Sequence, residues 1–351
     1  MSVRKVAVAL VALSTGLGLV GCGGAAADDG TPTGGGAARP AALGDGATGP
    51  TRFPLTLENC GSSVTFDAAP RRAVTLNQSA AEILIRLGVG DRVVGTGYET
   101  DEVPADISAP YGKIPMLSAR GKEITHEALL EVQPDFVYSS FASFFNSTQS
   151  GERDALHDLG VPTYLTEFDC VSHAAVETAS FETLFEEYRD LARIFGVPSA
   201  GERLVAEQQA VIDDGLRTAR RITGTPTVMW FYSTYAGTPW AAGTGGLPQH
   251  ISELVGVKNI FDDASTKWPE VSWDEVAARN PDVIVLADLT RGEPGDTAKE
   301  KIDLLKKDPL TSTLDAVVND RFVIIPGRYM DPSHGSAHAV PALAEGLVEL
   351  Q

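Results

Sequence analysis

Positive charge is scarce in this sequence. Its 351 residues include 28 Lys and Arg against 47 Asp and Glu, which gives a formal net charge of −19 at pH 7. Nucleic acids and anionic lipid surfaces attract clustered Lys and Arg, so a strongly acidic chain is a poor partner for either. We therefore exclude nucleic-acid binding and electrostatic attachment to a membrane surface.

Enzyme motifs are missing as well. Residues 243–246 read GTGG, but no Lys-Ser or Lys-Thr follows them, as it does in a phosphate-binding loop. The sequence contains no G-x-S-x-G nucleophile elbow and no C-x-x-C redox pair. We therefore predict a binding protein with no catalytic residues and no cofactor of its own.

Long apolar runs are limited to residues 6–20, which are fewer than the roughly 20 that a membrane-spanning helix needs. Arg4 and Lys5 precede this run, and it ends in LVGC at 19–22. These flanks are typical of a signal peptide, and LVGC resembles the lipobox of bacterial lipoproteins, in which the Cys is lipidated. We predict a signal peptide over 1–21 and a lipid anchor on Cys22, with a plain secretory signal as the alternative.

Residues 22–50 contain little that can fold. They are rich in Gly, Ala, Pro, Thr and Asp and include no aromatic residue. Such a segment cannot bury enough apolar surface to become ordered, and a flexible chain of this length spans roughly 30 Å. We predict a tether that holds the protein on the extracytoplasmic face of the cell membrane, with the lipid as its only membrane contact.

Two further cysteines, Cys60 and Cys170, complete the set of three. An even number in the mature part of an exported chain favours a disulfide. Such a bond closes a loop of about 110 residues and stabilises the fold by roughly 4–5 kcal/mol in the chain-entropy model. Two unpaired thiols are the alternative.

Short apolar segments alternate with amphipathic helices along the rest of the chain. Because strand–helix–strand units build parallel sheets, we predict an α/β fold with mainly parallel sheets. A hairpin is expected over 53–67, and strands over 74–76, 93–96, 136–139, 163–165, 228–232, 260–261, 283–287 and 322–325.

One helix-to-strand unit occurs twice. Residues 124–137 (ITHEALLEVQPDFV) align with residues 271–284 (VSWDEVAARNPDVI) at a constant offset of 147, and Pro-Asp ends the helix in both copies. The repeat indicates two similar, Rossmann-like lobes. Since parallel sheets bind ligands beyond the carboxyl ends of their strands, two facing lobes form a cleft.

A single helix over residues 199–222 joins the two copies. Ser199 and Glu202 have the spacing of an S-x-x-E capping box at its start. We predict a rigid connector that allows only small closure motions, with Gly215 as its weakest position because glycine costs roughly 1 kcal/mol inside a helix. The predicted organisation is an N-terminal lobe over 51–198, the connecting helix over 199–222 and a C-terminal lobe over 223–351.

Together these features resemble the class III (helical-backbone) substrate-binding lipoproteins of ABC importers, of actinobacterial type, which bind ferric siderophores, cobalamin or haem. The resemblance covers about residues 53–350 and implies a monomer that delivers its ligand to an ABC-transporter permease and ATPase. Besides Cys22 and the repeat, the matching segments are 67–83 (DAAPRRAVTLNQSAAEI), 87–95 (LGVGDRVVG), 240–246 (WAAGTGG) and Trp268-Pro269.

Members of this family dock onto the permease through one acidic residue on each lobe. The resemblance implies Glu127 and Asp274 as these acids, at equivalent positions of the repeat. Glu is usual at both, so Asp274 is a departure by one methylene, and neighbouring Glu275 is the alternative. Two exposed carboxylates on separate lobes suit arginines on a membrane-facing partner. Solvated helix carboxylates without a partner are the other interpretation.

Candidate ligand-binding residues are those that follow the carboxyl ends of the predicted strands. Many of them carry rings, which suits a large flat or aromatic ligand. Lys267 and Arg328 are expected to pair with anionic oxygens of that ligand. The full set is Asn77, Gln78, Tyr98, Ser140, Phe141 and Phe145 in the first lobe and Tyr232, Tyr235, Trp240, Lys267, Trp268, Arg328 and Tyr329 in the second.

A ferric siderophore is the first choice of ligand, cobalamin the second, and haem or a precursor of the deazaflavin cofactor are further alternatives. A different hypothesis is direct metal binding by His334 and His338, with Asp331 nearby. Two imidazoles four residues apart at a helix start lie on one face, as a metal site requires.

Overall fold

A computed structural model of the protein describes residues 49–171, 179–235 and 237–351. The predicted signal peptide, the lipidation at Cys22 and nearly all of the predicted tether lie outside these residues, and there they stay predictions. Within the described ranges, no helix combines the length and the apolar character that crossing a bilayer requires.

Eleven strands and eleven α-helices make up the described parts of the chain. The strands are β1 (Leu55–Asn59), β2 (Ser62–Phe66), β3 (Ala73–Thr75), β4 (Val93–Thr96), β5 (Phe136–Ser139), β6 (Thr163–Leu165), β7 (Thr227–Tyr235), β8 (Thr238–Ala241), β9 (Lys258–Asn259), β10 (Val283–Asp288) and β11 (Phe322–Pro326). The helices are α1 (Gln78–Arg86), α2 (Ser108–Tyr111), α3 (His126–Glu131), α4 (Arg153–Asp158), α5 (Phe181–Ile194), α6 (Pro198–Ala219), α7 (Leu247–Val255), α8 (Trp273–Arg279), α9 (Ala298–Lys307), α10 (Asp315–Val318) and α11 (Ala339–Glu349).

Two sheets dominate the fold, and their strands run mainly in parallel. In the N-terminal lobe the order is β4-β3-β5-β6, and every pair is parallel. In the C-terminal lobe the order is β11-β10-β7-β8, with β9 also paired to β7; only β8 is antiparallel. The predicted α/β class with mainly parallel sheets is confirmed.

Apolar side chains cover both faces of each sheet, as parallel sheets require. One core runs continuously from the N-terminal sheet through helices α5, α6 and α11 to the C-terminal sheet. Two smaller cores cover the opposite faces, one in each lobe. Helix α6 therefore packs into a core that both lobes share, instead of crossing open solvent between them.

The start of helix α6 differs from the predicted capping box. Val197 is the N-cap residue, its side chain caps nothing, and Pro198 occupies the first turn. Proline suits this position because its fixed φ is helical and its missing N–H has no partner there anyway. Glu202 instead pairs with Arg189 of α5 at 3.2 Å, so the capping-box prediction is wrong and this carboxylate links two helices.

Two glycines of α6 allow close contact with neighbouring helices. A Cβ on Gly201 would lie 2.7 Å from the Cβ of Ala192 in α5. A Cβ on Gly215 would lie 2.5 Å from the backbone nitrogen of Pro341 in α11. Gly215 was expected to be a weak point of the helix, but it is a contact position where only a residue without a side chain fits.

Two strand predictions for the C-terminal lobe need correction. The strand expected at 260–261 lies at Lys258–Asn259, because Ile260 and Phe261 turn into the apolar core instead. The sequence also gave no indication of β8, which pairs with the second half of β7 in register Tyr235↔Thr238. A hairpin thus extends this sheet past its parallel strands.

Cys60 and Cys170 form a disulfide, as predicted. The bond joins the tight turn between β1 and β2 to the helical turn that follows β6. The Glu167 carboxylate strengthens this junction by accepting hydrogen bonds from the Cys60 backbone N–H at 3.1 Å and the Asn59 side chain at 3.0 Å.

We predict that Gly215→Ala destabilises the protein by up to about 2 kcal/mol, the overpacking cost less the gain in helix propensity. Alanine forms helix better than glycine by about 1 kcal/mol, but overpacking a tight contact costs about 1–3 kcal/mol, and here the obstacle is backbone. The measurement is the free energy of unfolding in urea. Glu207→Ala, an exposed position on the same helix, is the control and should change stability little. A more stable Gly215→Ala variant would contradict the close contact.

Candidate functional site

A cavity of about 360 Å³ lies where the carboxyl ends of the two sheets face each other. Its volume is within the range of small-molecule sites. The residues that line it follow β3, β4, β5, β9, β10 and β11, or belong to the hairpin of β7 and β8. A smaller cavity of about 70 Å³ adjoins it and shares Phe141, Ser143, Trp268 and Asp331 with it.

Most of the predicted ligand-binding residues line these two cavities. Ser140 and Lys267 line the smaller one. Phe145 and Tyr329 line neither: Phe145 lies beneath the Arg153 guanidinium, and Tyr329 stacks on His338. The larger cavity is lined by Asn77, Gln78, Tyr98, Phe141, Tyr232, Tyr235, Trp240, Trp268 and Arg328 from the predicted set.

Aromatic rings form much of the larger cavity wall. On the N-terminal side, Tyr98 meets Phe144 edge to face, with ring centroids 4.7 Å apart, and Phe141 lies 6.2 Å away. Edge-to-face pairs stabilise one another beyond the area that they bury. On the C-terminal side, Tyr232 packs on Trp268 at 5.0 Å and Tyr235 on Trp240 at 5.6 Å.

Asn77 and Gln78 use their amides to hold neighbouring backbone segments. The Asn77 side-chain oxygen accepts a hydrogen bond from the Ser140 N–H at 2.9 Å. The Gln78 side-chain oxygen accepts from the N–H groups of Thr100 and Asp101 at 3.1 and 3.0 Å. These amides fix the wall of the cavity after β3, and a ligand there meets a surface whose hydrogen bonds are already formed.

Arg291 is a cavity residue that the sequence analysis missed. Its guanidinium pairs with the buried carboxylate of Asp296 at 2.5 Å and donates to the Tyr235 hydroxyl at 2.8 Å. It also lies 5.7 Å from the ring centres of both Tyr232 and Tyr235. Arg291 follows the carboxyl end of β10. Ligand-binding residues were predicted after the ends of other strands, and the same signal would have identified Arg291.

Two carboxylates line the larger cavity as well. Asp331 follows β11, and burial raises its pKa to about 7, with the nearby Asp101 carboxylate acting in the same direction. Burial also raises the pKa of Asp101, although the Thr100 hydroxyl donates to it at 3.2 Å. A desolvated carboxylate without a close counter-ion is costly to ionise. The lining of the larger cavity therefore contains both basic and acidic side chains.

Lys267 bridges the two lobes. Its ammonium contacts the Asp169 carboxylate and the Phe168 carbonyl, both in the turn after β6. The side chains of Lys267 and Asp169 are only 11% and 9% exposed. The expectation for this residue was an anionic ligand, but its positive charge already has a partner across the cleft.

Among the described residues, no third His, Cys, Asp or Glu joins His334 and His338 at metal-ligand spacing. Their ring centres are 6.2 Å apart, and the His334 Nε2 atom lies 3.0 Å from the Gln208 amide nitrogen of α6. Burial lowers the pKa of His334 to about 3. Within residues 49–171, 179–235 and 237–351, the one group with metal-ligand spacing is Cys60, Glu167 and Cys170, whose thiols form the disulfide. The structure therefore offers the metal hypothesis no support.

Glu127 and Asp274 occupy the first turns of α3 and α8, and both are exposed. Each helix has a side-chain cap, from Thr125 in α3 and from Ser272 in α8. The alternative acid, Glu275, pairs with Arg279 at 2.8 Å. Asp274 is consequently the acid of α8 that is more available to another molecule.

We predict that Lys267→Met lowers the free energy of unfolding by about 3 kcal/mol, because breaking a buried pair leaves an uncompensated charge. Chemical denaturation measures the loss. The control is Lys299→Met, since Lys299 pairs with Asp303 on the exposed surface of α9 and such pairs contribute less than about 1 kcal/mol. Equal losses for both variants would contradict a buried bridge.

Two α/β lobes joined through a shared helical core, with a ring-lined cavity between their strand ends, define a two-lobed ligand-binding protein. Comparison with known families agrees: residues 74–329 match the family model described as periplasmic binding protein. Because the match spans most of the chain, the protein belongs to the periplasmic binding protein family.

Curated relatives are similar over about two thirds of the chain. A vitamin B12-binding protein of Vibrio parahaemolyticus is 23% identical over 251 residues, which are 69% of this chain and 80% of the relative. A substrate-binding lipoprotein of an ABC transporter from Bacillus subtilis, YvrC, is 23% identical over 238 residues, which are 67% of this chain and 70% of the relative.

Solved structures share the fold. A periplasmic binding protein from Veillonella parvula superposes with a TM-score of 0.72 at 26% identity and covers 83% of this chain and 96% of its own. An ABC-type Fe3+-hydroxamate transport protein from Saccharomonospora viridis has a TM-score of 0.68 at 25% identity and covers 84% and 99%.

Proposed function

We propose that this protein captures a ferric siderophore in the cavity between its lobes and delivers it to an ABC-transporter permease, which an ATPase drives. The observation that carries the proposal is the ring-lined cavity of about 360 Å³ at the facing strand ends. Aromatic walls suit the apolar backbone of a wrapped iron chelate, and a few polar groups at the rim orient it. The similarity to the Fe3+-hydroxamate transport protein supports this choice.

Cobalamin is the second candidate, because several curated relatives are named for binding vitamin B12 or cobalamin. A corrinoid with its nucleotide loop is much larger than a cavity of about 360 Å³, so it would require wider separation of the lobes. Haem needs an axial ligand, usually His or Tyr. His334 and His338 line neither cavity. Among the described residues, Tyr98, Tyr232 and Tyr235 are the candidates for that role that do line one. A deazaflavin precursor stays a further alternative.

The proposal includes a membrane location. Lipidation at Cys22 holds the protein on the extracytoplasmic face, and a thioether-linked diacylglycerol with an N-acyl chain supplies the two or more chains that stable anchoring needs. The tether up to residue 50 then gives the folded part a reach of roughly 30 Å. The protein acts as a monomer, with one ligand and one transporter as its partners.

The ligand is tested by titration with ferric hydroxamates, ferric catecholates, cobalamin and haem. We expect a ferric hydroxamate to quench tryptophan fluorescence, since Trp240 and Trp268 line the cavity. Trp268→Phe should lose part of the quenching, whereas Trp273→Phe is the control because Trp273 packs on Phe231 in the apolar core. Failure of every iron chelate to quench would refute the siderophore proposal.

Docking is tested in cells. We predict that Glu127→Ala combined with Asp274→Ala lowers uptake of iron-55 ferrioxamine B at least tenfold while the purified protein still binds it, because both carboxylates are exposed and line neither cavity. The matched control is Glu131→Ala with Glu345→Ala, two exposed acids that line neither cavity and are not predicted docking residues. Normal uptake by the first pair would show that the permease recognises other residues.

A further inference from the structure

We infer that the cavity selects ferric hydroxamate siderophores that carry a free ammonium group, and that Asp331 is the residue that binds this ammonium. The inference rests on the proposed function and narrows it to one class of chelate and one contact.

The positive charges near the cavity are largely neutralised by their own partners. Lys267 pairs with Asp169, and both are almost fully buried. Arg291 pairs with Asp296, which is 2% exposed in its side chain. Because a charge with a close, desolvated partner gains little from a second one, neither cation is available for an anionic ligand.

Arg328 is the remaining cation that lines the larger cavity. Its guanidinium contacts the Glu102 carbonyl oxygen at 3.4 Å and lies over the Tyr329 ring. It acts electrostatically on the Asp101 carboxylate, whose pKa it lowers against the larger effect of burial. Arg328 and Asp101 thus offset each other at this end of the cavity.

Asp331 is the cavity carboxylate that these cations leave without a direct ion pair. It lines both cavities, at the point where they adjoin. Among the residues that the structure describes, none forms a hydrogen bond or an ion pair with its side chain. Its backbone carbonyl, by contrast, accepts the Ser336 hydroxyl at 2.5 Å, so the segment is held while the carboxylate faces the cavity.

The Asp331 carboxylate, which has no direct ion pair in the described parts of the chain, indicates the charge of the ligand. Three catecholates on Fe³⁺ carry a triple negative charge, and haem carries two propionates. Both would add negative charge beside Asp331, which Lys267 and Arg291 stabilise only from a distance. Three hydroxamates on Fe³⁺ are neutral, and an ammonium on the same molecule makes it a cation. A half-buried carboxylate that has no ion-pair partner among the described residues gains most from that cation, through a charge-assisted hydrogen bond.

The two adjoining cavities offer separate places for the two parts of such a molecule. The larger one takes the chelate against the rings, and the smaller one, of about 70 Å³, has room for a short flexible arm. Asp331 lies between them and Trp268 lines both, so an ammonium on the arm meets the carboxylate beside an aromatic ring. Cation–π contact with that ring acts in the same direction.

The experiment compares ferrioxamine B with its N-acetyl derivative, which differs only in replacing the ammonium by a neutral amide. At pH 8 the ammonium is charged, since an alkylamine titrates like Lys at about 10, and Asp331 is ionised in most molecules. We expect the wild-type protein to bind ferrioxamine B at least tenfold more tightly than the acetylated form, and a ferric tricatecholate more weakly than either.

The variants assign the effect to one residue. Asp331→Asn should bind both hydroxamates with nearly equal affinity, and Asp331→Glu should keep a preference for the ammonium form. Glu102→Gln is the control, because Glu102 is exposed and its side chain lines neither cavity; its preference should match the wild type. Thermal unfolding of each variant checks that it is folded.

The outcomes separate the two proposals. Equal affinity of the wild-type protein for both hydroxamates would overturn the ammonium inference and leave the siderophore proposal intact, and this comparison needs no variant. A preference that persists in folded Asp331→Asn would overturn the role of Asp331. Binding of no iron chelate at all would overturn the siderophore proposal itself.

Discussion

The close packing of helix α6 against one helix from each lobe is the constraint on which the rest of the structure depends. Gly201 brings α6 against α5, and Gly215 brings it against α11. Both contacts lie in the core that the lobes share, so we expect the two sheets to move little relative to each other. The cavity between their strand ends is therefore built into the fold, and the buried bridge from Lys267 to Asp169 forms across it.

The electrostatics inside the cleft follow from the close approach of the two lobes. Charged residues that face each other across a narrow gap lose water, and each then needs a partner within the protein. Lys267 and Arg291 find one, whereas Asp331 has no ion-pair partner among the residues that the structure describes. The ammonium of the proposed ligand would give Asp331 the partner that Lys267 and Arg291 already have.

Much of the fold could be predicted from the sequence, because strand and helix periodicity and the repeat at 124–137 and 271–284 depend on local patterns. The disulfide was predicted from the even number of cysteines in the mature part of a chain that is expected to be exported. The site was harder. Asn77 and Trp268 were found beyond strand ends, but the charge partners of Lys267 and Arg291 come from distant segments, and no local pattern encodes such pairs. The capping box was wrongly predicted because Pro198 starts α6 before Ser199. The β7–β8 hairpin was missed because its pairing depends on packing and not on a local turn pattern.

Strand β7 serves two purposes at once. Its first half pairs in parallel inside the sheet, with Val228 and Trp230 facing one core and Met229 and Phe231 the other. Its second half leaves the parallel sheet, pairs with β8 and carries cavity rings. A hairpin whose base is anchored in two cores can exchange its outer side chains without disturbing the fold. Related proteins can therefore acquire new ligands by substitutions on this one ribbon, while the two cores beneath it stay the same.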